Sequence, residues 1–176
     1  MKKAIFLDRD GTITADKGFV HKKEDLELLA GAAEAIKLAN RHGFLVVVVT
    51  NQSGVARGLF TEEEVKTFNA QLAQILAEQE ARIDAFYYCP HHPQALLSTY
   101  RKVCDCRKPA PGLVLKAARE MGIDLSRSWT VGDNPRDVEA GRLAGCSTIL
   151  LGKDVKNLLE AIQMIVSGFA NPHPHR

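Results

Sequence analysis

The sequence predicts an α/β protein built on a doubly wound parallel sheet with helices on both faces. Two observations carry this reading. Short, strongly apolar runs alternate with amphipathic segments along the chain, the pattern of strands joined by helical crossovers. The run from Phe44 to Val49 is dominated by β-branched residues with no polar interruption, as in a strand buried on both faces.

The elements follow in order. Lys3 to Leu7 is predicted as the first strand. A loop through Asp16, Lys17 and Gly18 leads to a helix from about Gly31 to His42, stopped by Gly43, a residue suited to the position after a helix. The Phe44–Val49 strand is followed by Thr61 and Glu64, spaced as a capping box. Behind that box, Val65, Phe68, Leu72, Ile75 and Leu76 mark one face of a helix. Ala85 to Tyr88 reads as a short aromatic strand, and Cys89 to Pro109 as irregular chain. Pro111 opens a helix that runs to Met121 and stops at Gly122. Trp129–Val131 and Thr148–Leu151 read as strands around a helix ending at Gly145, and a last helix is expected from about Val155 to Val166. One domain over 1–170 is expected, with a flexible tail at 171–176.

Composition narrows the function. The 176 residues are 45% hydrophobic, enough for a self-sufficient core. Lys and Arg number 23 against 21 Asp and Glu, so there is no basic excess for nucleic acid to exploit. No apolar run approaches the roughly 18 residues of a membrane span. The N-terminal apolar run, interrupted by Asp8, Arg9 and Asp10, is too short for a secretory signal. A cytoplasmic protein, monomeric and without membrane or nucleic-acid partners, is the expectation.

In open parallel sheets the active crevice lies beyond the carboxyl ends of the strands. The first strand ends in Asp8, Arg9, Asp10, Gly11 and Thr12; the second in Thr50, Asn51, Gln52, Ser53 and Gly54; a later one in Gly132 and Asp133. Arg107 and Lys108 add positive charge, expected at the same rim. Asp8 and Asp10 are two apart, so on an extended segment both side chains point the same way. With Asp133 they form an all-oxygen set suited to Mg²⁺. Such a site makes chemical sense around a phosphoryl group. One carboxylate attacks phosphorus, the other protonates the leaving oxygen and later activates water, and Thr50 and Lys108 stabilise the phosphoryl oxygens.

These motifs, including Gly132-Asp133 with Asp137 four positions on, resemble those of the haloacid-dehalogenase-like (HAD) phosphatases. Over nearly the whole chain the resemblance extends to the subgroup of heptose 1,7-bisphosphate 7-phosphatases and histidinol-phosphatases. It is carried by Phe6 to Ile13, Gly18 to His21, Val49 to Gly58, Tyr88 to Pro93 and Cys104 to Pro109. The resemblance implies a Rossmann-like HAD core with Asp8 as nucleophile and Asp10 as acid/base. It implies Mg²⁺ held by Asp8, the Asp10 backbone carbonyl and Asp133, with Thr50 and Lys108 on the phosphoryl group. It also implies that Arg107 contacts substrate and that Asp16, Lys17, Gly18 and Phe19, with Thr50, Asn51, Gln52 and Ser53, line the pocket. One departure is Asn134, where family members often carry lysine directly after the metal-binding aspartate. The resemblance therefore carries over no cationic contact from this position.

Cys89, His91, Cys104 and Cys106 fall in a window of 18 residues. Three thiolates and one imidazole form a structural zinc set, with His92 a competing ligand on spacing alone; the resemblance favours His91. A metal would compensate for the small apolar core of this stretch and fix the loop that aims Arg107 and Lys108. Cys146 lies apart and reads as a buried free thiol. Trp129 reads as core, and His42 as tipped toward its helix C-terminus. His173 and His175 read as part of the mobile tail.

Asp10 and Thr50 are forty positions apart, a stretch filled by one loop, one helix and one strand. No lid domain fits there or between Asn51 and Ala110, so a capless, shallow site is expected. Arg57, Arg107 and Lys108 are its expected anchors. The substrate class this suits is a small phosphorylated sugar, a heptose bisphosphate on the resemblance, with either anomer open. Histidinol phosphate is the alternative; its cationic end would prefer carboxylates to this rim. A phospho-acceptor receiver domain is a rival of another class, but its acceptor aspartate follows a later strand, and none lies between Val46 and Thr50.

Overall fold

A computed structural model describes residues 1–168. The expected tail at 171–176, with His173 and His175, lies outside the described residues. Five strands form one parallel sheet: β1 (Ala4–Leu7), β2 (Leu45–Asn51), β3 (Ala85–Cys89), β4 (Trp129–Gly132) and β5 (Ser147–Leu150). Their spatial order is β3-β2-β1-β4-β5. The chain winds outward from β1 to β3, then returns to build β4 and β5 on the other side. The strand order therefore reverses between β1 and β4, the point at which doubly wound sheets open a crevice.

Alternation along the strands explains the layers. Ile5 and Leu7 of β1, with Val46 and Val48 of β2, belong to one apolar cluster. Ala4 and Phe6, with Val47 and Val49, belong to another on the opposite face. Period-two side chains divide a continuous apolar run between two cores, and each fully buried valine is worth about 1.5–3 kcal/mol. The first core is closed by α1 (Ala32–Arg41), α2 (Glu62–Ala77) and α5 (Leu158–Val166), through residues such as Ile36, Leu72 and Ile162. The second is closed chiefly by α3 (Gly112–Met121) through Leu113, Val114 and Ala117, with Ala144 of α4 (Pro135–Ala144).

Several local expectations hold. Thr61 and Glu64 form the reciprocal capping box of α2, Gly122 ends α3 in the left-handed conformation, and His42 Nδ1 lies 3.0 Å from the Leu38 carbonyl. Cys146 is a buried free thiol, and Trp129 packs partly buried against the first core. Several boundaries differ, among them those of β1, β3 and β5, which run Ala4–Leu7, Ala85–Cys89 and Ser147–Leu150. β2 begins one residue later than expected and continues through Thr50 and Asn51, because β3 pairs with both (Thr50 with Tyr88, Asn51 with Cys89). Trp129–Val131 gains Gly132. The last helix begins at Leu158, not Val155, because the Asn157 side chain caps it by accepting from the Glu160 N–H. No helix among the described residues is long and apolar enough to cross a membrane. No separate folded unit interrupts the chain between Asp10 and Thr50, where only a short 3₁₀ turn and α1 precede β2.

Candidate active site

Asp8 follows β1 directly, and its backbone N–H donates to the Val131 carbonyl of β4 at 3.2 Å. This bond ties the first carboxylate to the strand across the crevice. Asp133, one residue beyond β4, approaches from that neighbouring strand. Two glycines permit the approach. Gly11 sits at φ 88°, and a Cβ there would lie 2.2 Å from the Asp133 carboxylate. At Gly132 a Cβ would lie 2.4 Å from Asp137 Oδ2.

Lys108 is not a rim cation. It is 2% exposed, and its ammonium donates to Asp8 Oδ1 at 2.8 Å and to the Val49 carbonyl at 2.7 Å. It also lies 2.7 Å from Asp137 Oδ1. The expected rim anchor is therefore a buried bridge between two carboxylates, because the loop carrying it folds over the end of β2. Asn51 fixes that loop: its side-chain amide donates to the Lys108 carbonyl at 3.1 Å and accepts from the Lys108 N–H at 3.0 Å. Burial pushes Asp8 up to about 6, with Lys108 pulling down and Asp137 pushing further up. Burial lowers the Lys108 ammonium's affinity for its proton, but Asp8 and Asp137 outweigh it and hold its pKa above the ordinary value.

Asp10 is oriented from three sides. Arg9 grips both of its oxygens, Nε to Oδ1 and Nη2 to Oδ2, each at 3.0 Å. The Thr14 hydroxyl donates to Oδ1 at 3.2 Å, and Gln52 Nε2 donates to Oδ2 at 3.1 Å. Gln52 also donates to the buried Thr50 hydroxyl at 2.9 Å. Arg9 itself is wholly buried. It stacks on Phe68 with 4.4 Å to the ring centroid, and donates to the Asn69 side chain and the Val20 carbonyl. Arg9 was absent from the expected site, and no spacing signal distinguishes it from a charged spacer between two aspartates.

Asp8, Asp133 and Asp137 each offer a carboxylate oxygen within 4.8 Å of the others. Asp137 is already committed, to Lys108 through Oδ1 and to the Asn134 N–H through Oδ2 at 3.1 Å. That leaves Asp8 and Asp133 as the anionic donors facing the crevice, an oxygen set of the kind Mg²⁺ takes with water and phosphate completing its shell. Burial, followed by the neighbouring charge of Asp137, raises the Asp133 pKa, so a cation here relieves real repulsion.

The cysteine cluster assembles as expected. Cys89, His91, Cys104 and Cys106 present donor atoms within 4.8 Å of one another. Cys106 Sγ lies 3.0 Å from Cys89 Sγ, 3.3 Å from Cys104 Sγ and 3.3 Å from His91 Nδ1. All four cysteines of the chain are free of disulfides. Three soft thiols and an imidazole converging this closely fit a tetrahedral zinc ion with bonds of about 2.0–2.3 Å. His92 turns away: its Nδ1 accepts from the Gln94 N–H at 3.1 Å.

A cavity of about 300 Å³ adjoins these groups through Gln52. Of the expected pocket residues, Asp16, Gly18, Phe19 and Asn51 line it, as do Gln52, Ser53, Arg57 and Arg107. Lys17 does not; its ammonium pairs with Glu27 at 2.8 Å. Arg136, which no motif flagged, does line the cavity. A larger groove of about 670 Å³ runs along β3 and α3 past Tyr87 and Lys116. It contains none of the clustered aspartates and is not the reaction site.

A buried aspartate at the switch point, a second aspartate clamped beside it, a lysine beneath and a third carboxylate across the crevice define a HAD-like phosphatase. A family model described as HAD-hydrolase-like matches residues 105–168. The chain is 43% identical over 172 residues to the D-glycero-β-D-manno-heptose-1,7-bisphosphate 7-phosphatase of Photorhabdus laumondii, covering 96% of this chain and 92% of that protein. It is 40% identical to the Vibrio cholerae protein of the same name, covering 99% and 95%. The crystal structure of a D,D-heptose 1,7-bisphosphate phosphatase from B. bronchiseptica, complexed with magnesium and phosphate, superposes with a TM-score of 0.81. That match is 31% identical and covers 94% of this chain and 98% of that one. The chain belongs to the HAD superfamily and, within it, to the family of heptose-bisphosphate phosphatases.

Proposed function

We propose that the chain hydrolyses the 7-phosphate of D-glycero-β-D-manno-heptose 1,7-bisphosphate through an aspartyl-phosphate on Asp8. The observation that carries the reading is the pairing of Asp8 with Lys108 beside a clamped Asp10, which Gln52 links to a guanidinium-lined cavity. Lys108 holds Asp8 Oδ1, leaving the other oxygen to attack phosphorus. A new Asp8–phosphorus bond forms as the bond from phosphorus to the sugar oxygen breaks. Asp10, oriented by Arg9, Thr14 and Gln52, gives its proton to that leaving oxygen. It then takes a proton from the water that attacks phosphorus, and Asp8 is released with inorganic phosphate. Lys108 and Thr50 stabilise the phosphoryl oxygens.

Asp8, the Asp10 carbonyl and Asp133 would hold Mg²⁺, which offsets the repulsion between an anionic nucleophile and an anionic substrate. Cys89, His91, Cys104 and Cys106 would hold zinc and cross-link the loop that ends in Arg107 and Lys108. The β anomer is chosen because the relatives at 40–43% identity are named for it. Histidinol phosphate carries an ammonium that Arg57, Arg107 and Arg136 would repel.

Phosphate release in Mg²⁺ from both heptose 1,7-bisphosphate anomers, histidinol phosphate and fructose 1,6-bisphosphate tests this reading. The expected result is the highest kcat/KM on the β-heptose substrate. A higher value on histidinol phosphate contradicts it.

A further inference from the structure

The cavity beside the aspartates holds three guanidiniums. Arg57 lies 5.5 Å over the Phe19 ring. Arg107 Nη1 is 3.4 Å from the His91 carbonyl, and Arg136 enters from the first turn of α4. None of the three pairs with a carboxylate among the described residues, and Asp16 is the one carboxylate lining the cavity with them. Arg57 and Arg136 are exposed and Arg107 is half-buried, so solvent screens part of their mutual repulsion and a bound anion would relieve the rest.

The occupant is not the reacting phosphoryl group: Asp8, Thr50 and Lys108, which the proposed mechanism assigns to that group, do not line this cavity. The third expected anchor, Lys108, is consumed by Asp8 and Asp137, so an outward phosphate needs another cation. Asn134 cannot supply it: its side chain caps α4 by accepting from the Arg136 N–H at 3.2 Å. That same cap lies two residues ahead of Arg136 and sets the turn from which Arg136 reaches the cavity.

We propose that Arg136 is a specificity-determining residue that binds the non-hydrolysed phosphate of a bisphosphorylated sugar, in concert with Arg57 and Arg107. This rests on the reading of the chain as a heptose-bisphosphate phosphatase and adds the residue that distinguishes bisphosphate from monophosphate. A guanidinium grips a phosphate through paired N–H donors, geometry that lysine or glutamine does not reproduce.

Steady-state kinetics on heptose 1,7-bisphosphate and heptose 7-phosphate, for wild type, Arg136→Gln and Arg136→Lys, tests it. Loss of one charge-assisted contact is expected to lower kcat/KM for the bisphosphate about 10- to 100-fold in Arg136→Gln, chiefly through KM. The monophosphate value falls far less, and Arg136→Lys recovers part of the loss. A parallel fall on both substrates, or a bisphosphate-to-monophosphate ratio equal to that of wild type, overturns the inference alone. Wild type that fails to hydrolyse the bisphosphate overturns the proposed function and this inference together.

Discussion

The Lys108 ammonium lies 2.8 Å from the Asp8 carboxylate, with both side chains buried and the two residues one hundred positions apart. Asp137 meets the same ammonium at 2.7 Å. One lysine thus pairs with two buried carboxylates through one oxygen of each. Removing it strands both anions. Lys108→Met is expected to destabilise the fold by roughly 3–5 kcal/mol, measured by urea denaturation, and to cut kcat by at least about 100-fold. Wild-type stability and turnover in this variant would show that the bridge is dispensable.

In the proposed mechanism Arg9 would act through Asp10. Its guanidinium holds both Asp10 oxygens and is itself fixed by Phe68, Asn69 and Val20. Asn69→Ala removes one of these supports without touching either aspartate. Expected is a kcat loss of about 3- to 30-fold with little change in KM, since a loosened acid misses the leaving oxygen. A change confined to KM would place Arg9 in substrate binding instead.

Magnesium affinity should follow the protonation of Asp8. Burial raises its pKa in the metal-free protein to about 6. The carboxyl therefore keeps its proton up to that pH, and a cation must displace it. Above pH 6 the affinity measured by calorimetry is expected to depend little on the protonation of Asp8. Below it, affinity falls by up to about tenfold per pH unit with one proton released per ion bound. Constant affinity from pH 5 to 8 would mean that Asp8 is not a ligand.

The cysteine cluster bears on Arg107 and Lys108, which follow Cys106 immediately. Zinc removed by chelation, with loss verified by metal analysis, is expected to lower kcat/KM and expose residues 89–108 to proteolysis. Far-UV circular dichroism should be largely retained, because the two apolar clusters are built mainly from strands and helices outside that loop. Unaltered kinetics after verified loss would reject a positioning role.

The sheet was legible because its strands are apolar on both faces, and the two aspartates, Thr50 and Asp133 each close such a run. The cysteine set was legible from residue type and spacing. What stayed hidden depends on contacts distant in sequence. Lys108 reads as a surface cation until the loop closed by Asn51 buries it. Arg9 reads as a spacer until α2, sixty positions on, supplies Asn69 and Phe68. Thr50 and Asn51 read as a loop because pairing with β3, not their own propensity, extends the strand. Arg136 carries no motif; only the cap at Asn134 sets where it emerges.

The covalent role of Asp8 is tested most directly by acid-quenching the enzyme during turnover of heptose 1,7-bisphosphate with Mg²⁺ and locating the phosphoryl group by peptide mass spectrometry. Asp10→Asn, which loses the base for the second step, should accumulate the adduct from any substrate fraction it turns over. A phosphoryl group on Asp8, absent from Asp8→Asn, is the expected result. Phosphate released by Asp8→Asn at wild-type rates, or an adduct on any other residue, would contradict it.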